Sequence, residues 1–345
     1  MKGKILRSLK YTLFVCIVIF LIKIFWPRSY NIPQLQKRTS TQYWHLSTGS
    51  RIGYTLISAK VKKKPYPIIY LHGGPGGFVT ERDIKMLSPL ANDGYNVYLY
   101  DQIGSGASDR LENIKEYTVD RHINDLEDII KKVRADKIIL IGQSWGAILS
   151  VLFIAGHPDK VEKIIFTGPG PIFPVNRKFV NIKAPDSLHL REPYYSNRQG
   201  NKKANNVRTK AMAYWATIVN KKLASDKEAD DFSTYLNSEV NKSTVCDTAK
   251  LLQAEAGGGF YAAVMTFKSL TQVQDPRPKI KESNIPTLVM RGQCDNQEWG
   301  FTNEYLGLFR NHQLTIIPNA GHFISFEQPE LYQKIIINFL NNKCQ

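Results

Sequence analysis

The sequence is poor in cysteine. It has four, at Cys16, Cys246, Cys294 and Cys344, and no C-x-x-C pair. Outside the N-terminal segment three remain, an odd number at spacings unlike those of metal ligands. Neither a disulfide framework nor a zinc site is implied. Residues 1–38 contain no acidic residue. Internal repeats and low-complexity tracts are also missing, which excludes solenoid arrays and disordered linkers. No helix-turn-helix, finger or RNA-binding signature accompanies the net charge of +16, so no nucleic-acid partner is expected. What is present is a globular composition, 43% hydrophobic and 22% charged over 345 residues. That length suits one large α/β domain with an insertion, or two domains.

Half of the excess positive charge lies in residues 1–38, as Lys2, Lys4, Arg7, Lys10, Lys23, Arg28, Lys37 and Arg38. The rest is spread out, with Lys-rich patches between Arg177 and Lys281. A solvated basic surface is the ordinary reading. Attraction to an anionic surface, such as a membrane or an acidic wall polymer, is the sharper one.

The one membrane-like stretch runs from Tyr11 to Trp26 and is interrupted by Lys23. As a helix it reaches about 24 Å at about 1.5 Å per residue, short for a hydrocarbon core of about 30 Å but workable with thinning and a snorkelling lysine. No A-x-A-like cleavage site follows, since the next residues are Trp26-Pro27-Arg28. An uncleaved single-pass anchor is therefore expected, with a cleaved signal peptide as the alternative. The basic n-region favours a catalytic domain outside the cytoplasm. Cys16 follows Val15, which is not the small residue that lipid modification needs, and reads as an ordinary membrane-helix residue.

From Tyr43 onward strands alternate with helices. Tyr43–Ser47 and Arg51–Ser58 flank a Thr48-Gly49-Ser50 turn, a hairpin signal. Short apolar strands are expected at Ile68–Leu71, Val97–Tyr100, Ile138–Ile141, Ile164–Thr167, Pro286–Arg291 and Leu314–Ile317. Val119, Ile123, Leu126, Ile130 and Val133 recur at helical spacing. Leu331, Ile335, Phe339 and Leu340 mark a closing helix. This alternation predicts an α/β fold, a mostly parallel twisted sheet with helices on both faces. Residues 171–282 change texture and predict an inserted helical cap. The core is then 39–170 and 283–345, and 1–38 is anchor (about 11–26) plus linker.

Gly142-Gln143-Ser144-Trp145-Gly146 follows the Ile138 strand and precedes a helix-compatible segment. Strand, sharp turn and helix are the context a nucleophile elbow needs. A serine hydroxyl attacks only when a base takes its proton, and that base needs an orienting acid. In α/β-hydrolases the chain order is serine, acid, histidine. Ser144, Asp295 and His322 meet that order, and the last two follow strand C-termini, where such sheets gather their sites. Glu298 is the fallback acid; Asp101 precedes Ser144 and is out of order. The oxyanion needs two preorganised N–H donors, assigned to Trp145 and to Gly74 in His72-Gly73-Gly74-Pro75-Gly76. Read as a phosphate loop, that run lacks the following Gly-Lys-Ser/Thr.

His72-Gly73-Gly74-Pro75-Gly76, Asp101-Gln102-Ile103-Gly104-Ser105-Gly106-Ala107-Ser108 and Gly142-Gln143-Ser144-Trp145-Gly146 together resemble the proline iminopeptidase family of α/β-hydrolases. Its usual forms are HGGPG, DQRGxGxS and GGSWG. Arg291-Gly292-Gln293-Cys294-Asp295 resembles its acid loop, and Pro318-Asn319-Ala320-Gly321-His322 its histidine loop. The resemblance implies release of an N-terminal residue, often proline, from a peptide, with no metal or organic cofactor. It also implies cap glutamates that hold the substrate amine. Here Ala216 stands where the first would follow Trp215, and Glu255 is the loose counterpart of the second. Ile103 replaces an arginine and Gln143 a glycine. Substrate expectations are therefore a small peptide or, alternatively, an ester. A non-catalytic binding protein on the same fold is the third possibility.

Overall fold

The N-terminal apolar segment forms one helix, α1 (Lys2–Phe25), in the computed structural model, which describes residues 2–36, 38–251 and 255–342. Its Lys4–Phe25 span has 22 residues and a mean hydropathy of 2.1, with no part of its apolar window buried. The helix starts earlier than the apolar run because Lys4, Arg7 and Lys10 are good helix formers. Those twenty-two residues reach about 33 Å, so by length and composition the span could cross a hydrocarbon core of about 30 Å. Pro27 lies just beyond its end, as expected of a residue that cannot continue a helix.

Eight strands form a single sheet in the order β1-β2-β4-β3-β5-β6-β7-β8. The hairpin β1 (Gln42–His45) and β2 (Arg51–Ile57) is antiparallel, and β2 pairs antiparallel with β4 (Val97–Tyr100). The remaining pairings, through β3 (Ile68–Leu71), β5 (Ile138–Gln143), β6 (Val161–Thr167), β7 (Thr287–Gly292) and β8 (His312–Ile317), are parallel. Alternate side chains face opposite layers, as the pleat requires. Ile69 and Leu71 pack with α3 (Val119–Val133) and α4 (Trp145–Gly156). Ile68 and Tyr70 pack with α2 (Glu81–Leu87) and α12 (Pro329–Leu340). Burial on both faces is why these strands read as continuous apolar runs.

The cap contains α5 (Asn197–Ala204), α6 (Val207–Tyr214), α7 (Asp226–Val240), α8 (Phe260–Leu270) and α9 (Arg277–Ile280). A π-helical turn, Trp215–Val219, continues α6. The core then adds α10 (Trp299–Leu308) and α11 (Ile324–Glu327). The expectation of no disulfide is corrected here: Cys246 of the cap is bonded to Cys294 of the loop after β7. The two lie 48 residues apart, and only the return of the cap onto that loop brings their Cα atoms to 5.2 Å. Cys344 lies outside the described residues.

Arg38, counted above with the basic N-terminal segment, is a core residue only 8% exposed. Its guanidinium donates to Asp101 Oδ1 and Oδ2 at 3.1 and 2.9 Å and to the Val79 carbonyl at 2.6 Å. Asp101 also accepts from the Val79 and Ala107 amides, so it serves as an internal tie between loops. Removing the cation leaves a buried carboxylate short of its partner. We expect Arg38→Ala to lower the unfolding free energy by about 3–5 kcal/mol in urea titration, whereas Arg51→Ala, whose ion pair with Asp109 is solvent-exposed, leaves the urea midpoint nearly unchanged.

Candidate active site

β5 ends in Gly142-Gln143, and α4 starts at Trp145, so Ser144 alone makes the turn. Its backbone lies at φ 53° and ψ −111°, a conformation a non-glycine residue rarely adopts. Such strain costs about 1–3 kcal/mol and persists where the surroundings over-determine it. They do here. A Cβ at Gly146 would lie 2.0 Å from the Leu71 carbonyl oxygen, so only glycine lets α4 pass β3 this closely. The Ser144 amide donates to the Thr167 carbonyl at 3.0 Å, which fixes the turn to the end of β6.

His322 and Asp295 meet across the ends of β7 and β8. His322 Nδ1 lies 2.9 Å from Asp295 Oδ1. A carboxylate only accepts, so Nδ1 carries the hydrogen and Nε2 is left as a base. Burial pushes the Asp295 carboxyl up, but the charge and hydrogen bond of His322, the nearby Arg291 and the Gln297 amide outweigh it, and its pKa is lowered. The imidazole lies against Gly168: a Cβ there would be 3.0 Å from Nδ1. Gly168 follows Thr167, the residue bound to the Ser144 amide. The serine turn and the His322–Asp295 pair therefore converge on the end of β6. Glu298, the fallback acid, is exposed at the start of α10.

The glycine loop after β3 lies directly on this turn. A Cβ at Gly73 would be 2.1 Å from Gln143 Oε1 and 3.3 Å from Ser144 Cβ. Gln143 itself is 8% exposed, and its Nε2 has no hydrogen-bond partner among the described residues. Gly74 is exposed beside it, with φ 131°. Trp145 opens α4, where N–H groups lack intrahelical partners and the helix dipole favours negative charge. Its indole donates to Gln102 Oε1 at 2.7 Å. The Gln102 amide in turn donates to His72 Nε2 at 2.9 Å, so His72 donates from Nδ1 to the Gly73 carbonyl at 2.8 Å. Burial lowers the His72 pKa and keeps the ring neutral in that role. The three sequence motifs thus form one hydrogen-bonded frame. Ile103, in an arginine's place, is buried among apolar neighbours.

Two residues support these loops in ways that the sequence reading did not assign. Arg291 donates to Thr302 Oγ1 at 2.9 Å and to the carbonyls of Asp295 and Gln297 at 3.3 and 2.5 Å, which shapes the acid loop. Glu327 accepts from the Gly321 amide at 2.6 Å and from the Cys246 and Asp247 amides, which ties the cap to the histidine loop. Nothing local in the sequence sets Glu327 apart from a solvated helix residue. Of the cap expectations, Glu255 is exposed on the chain leading to Gly257-Gly258-Gly259, and Ala216 is fully buried. Trp215 is half-buried at the start of the π turn. No hydrogen bond joins either Glu255 or Trp215 to Ser144, His322 or Asp295 among the described residues. The glycine triplet does meet the site: the Gly259 amide donates to the Gly76 carbonyl at 2.8 Å.

Residues 66–329 match the model for the alpha/beta hydrolase fold, well over half of the chain. The chain belongs to the alpha/beta hydrolase fold family. A proline iminopeptidase of Heyndrickxia coagulans is 26% identical over 281 residues, covering 80% of this chain and 91% of the relative. One of Saccharolobus solfataricus is 23% identical over 297 residues, covering 85% and 90%. The chain is thus proline iminopeptidase-like in sequence, as its motifs suggested. Among solved structures, an esterase of Exiguobacterium antarcticum superposes with a TM-score of 0.59 at 16% identity, over 87% of this chain and 99% of that one. At that identity the likeness speaks for the fold alone.

His122 of α3 reports on this hydrolase frame. Its ring stands edge-on 5.7 Å from Trp145, and its Nε2 lies 3.0 Å from Thr266 Oγ1 of the cap. Burial, with minor help from His72 and Arg121, lowers its pKa to about 3. An unfolded histidine titrates at about 6.5, so between about 6.5 and about 3 only the unfolded chain gains this proton. Its contribution to stability is full above that window and is lost as pH falls through it. Urea midpoints are expected to drop from about pH 7 to about pH 4, and His122→Gln is expected to flatten that drop.

Proposed function

We propose that this alpha/beta hydrolase is a membrane-anchored serine hydrolase that cleaves peptide or amino-acid amide bonds. Ser144 is the nucleophile, His322 the base, and Asp295 the residue that orients the imidazole. The observation that carries this reading is the pairing of a positive-φ serine at a helix start with a histidine whose Nδ1 is already bound to a buried carboxylate. In the first step Ser144 Oγ bonds to the substrate carbonyl carbon as its proton passes to His322 Nε2. The carbonyl oxygen becomes an oxyanion and is held by the Trp145 and Gly74 amides. Collapse breaks the amide bond, and His322 returns the proton to the leaving amine. Water then attacks the acyl carbon as His322 takes its proton; the bond from Ser144 Oγ to the acyl carbon breaks, His322 returns the proton to Ser144 Oγ, and the acid product leaves.

The anchor is α1, kept rather than cleaved. The catalytic domain lies outside the cytoplasm, a reading supported by the basic n-region and by the Cys246–Cys294 bond, since disulfides persist in oxidising compartments. In the aminopeptidase form of this reading Glu255 and Trp215 contact the substrate's N-terminal side. One observation favours an ester substrate instead: Ala216 is buried where a glutamate would hold an ammonium group, and an unpaired ammonium in a dry cap is costly.

Ser144→Ala is expected to abolish fluorophosphonate labelling of the intact protein, and Asp295→Asn to lower kcat by about 10³–10⁴-fold. Persistent labelling of Ser144→Ala would remove the nucleophile assignment. The substrate is read by proline and other aminoacyl p-nitroanilides, with free and blocked amines, beside short acyl p-nitrophenyl esters. The aminopeptidase form expects blocking the amine to cost at least about tenfold in kcat/KM, and Glu255→Gln to do the same, as loss of a charge-assisted contact does. Indifference to both, with esters cleaved faster, selects the ester form.

A further inference from the structure

The C-terminal end of α1 is built into the cap. Arg208, in the first turn of α6 and 2% exposed, donates from Nη1 to the Ile24 carbonyl at 2.6 Å. Its other nitrogens grip Glu228 of α7, with Nη2 to Oε2 at 2.6 Å. Glu228 Oε1 also accepts from the Arg28 amide at 3.0 Å. Tyr30 then lies 5.6 Å from the rings of both Phe232 and Tyr235 of α7. The chain leaving α1 is therefore fastened to two cap helices by a buried ion pair and by ring packing.

This attachment fixes which face of the hydrolase meets the bilayer that α1 would cross. A helix is about 10–12 Å across, so the element that binds its last carbonyls lies at the membrane surface. Along α6 and its π turn, and beside them on α8, large apolar side chains remain uncovered: Tyr214 at 64% exposure, Ile218 at 61%, Val219 at 39% and Phe267 at 50%. Lys268 joins the two elements by donating to the Thr217 carbonyl and Asn220 Oδ1. Ile218 lies about 15 Å along the helix from Arg208. Exposed Lys210 and Lys221 border the same segment. Scattered exposed apolar residues mean little, but a patch with a tyrosine and a lysine rim, beside an anchoring helix, has the chemistry of the headgroup boundary.

We propose that the α6–α8 face of the cap, through Tyr214, Ile218, Val219 and Phe267, rests in the surface of the bilayer crossed by α1, with Lys210 and Lys221 on anionic headgroups. The cap rather than the sheet then faces the lipid, and the site beneath the cap is held close to the membrane. This rests on α1 being a retained anchor and is independent of the reaction catalysed.

The test uses the full chain with Cys16→Ser and Cys344→Ser, in vesicles of phosphatidylcholine and phosphatidylglycerol. An environment-sensitive fluorophore is placed at Ile218→Cys, at Phe267→Cys, or at Lys62→Cys, which lies in the loop beyond β2, at the edge of the sheet where the parallel strands begin. Co-flotation with vesicles reads the anchor, and quenching by nitroxide-labelled lipid reads the patch. The expected result is a blue shift and loss of most emission at 218 and 267, with neither at 62. Floating protein whose labels at 218 and 267 respond only to aqueous iodide overturns the proposal and leaves the anchor. Protein that fails to float overturns both. Neither outcome bears on the hydrolase reading, which fluorophosphonate labelling tests separately.

Discussion

One backbone constraint organises the molecule: Ser144 turns the chain at positive φ between a central strand and a buried helix. The turn holds only because β5, β3 and α4 approach one another without intervening side chains, as at Gly146 against Leu71. Everything else near the site is arranged around that close approach. The glycine loop closes over Ser144, the end of β6 accepts its amide, and Gly168 makes room for the imidazole. A parallel sheet brings its strand ends to one edge, so residues far apart in sequence meet there without long connecting loops.

The polar residues of the motifs divide into two kinds of work. His72, Asp101 and Gln102 hold the frame: they spend their hydrogen bonds on backbone amides, carbonyls, other motif side chains and, at Asp101, the Arg38 guanidinium. Ser144 and His322 Nε2 remain free of such duties in the described geometry. Burial acts on the two groups of ionisable residues in different ways. It keeps His72 and His122 neutral, where a proton would break a hydrogen-bonded frame. At Asp295 the imidazole, Arg291 and an amide overcome it, so the carboxylate stays charged beside His322.

The cap is joined to this core at several points of different character. Backbone contacts link its glycine triplet to the Gly76 loop, Glu327 links it to the histidine loop, and a covalent bond links it to the acid loop. Its far side grips the end of α1 through Arg208 and Glu228. Contacts thus run from the end of α1, through the helices between β6 and β7, to the loops of the candidate site.

Much of the fold was legible in the sequence. Each apolar run predicted as a strand is one; the central strands β3 and β5 are buried along their whole length, which demands apolar residues on both faces. The α/β-hydrolase fold, with its mostly parallel sheet, followed from that punctuation. The sequence alone also determined the candidate residues Ser144, Asp295 and His322, since strand ends and their order along the chain are local properties. What only the tertiary structure decided were partnerships across long separations. Arg38 looked like one more cation of a basic tail, yet it neutralises Asp101. Cys246 and Cys294 looked unpaired, and nothing in the sequence singled out Arg208 or Glu228. A charge or thiol carries no local mark of its partner, because pairing energy depends on distance and burial in space, which spacing along the chain does not encode.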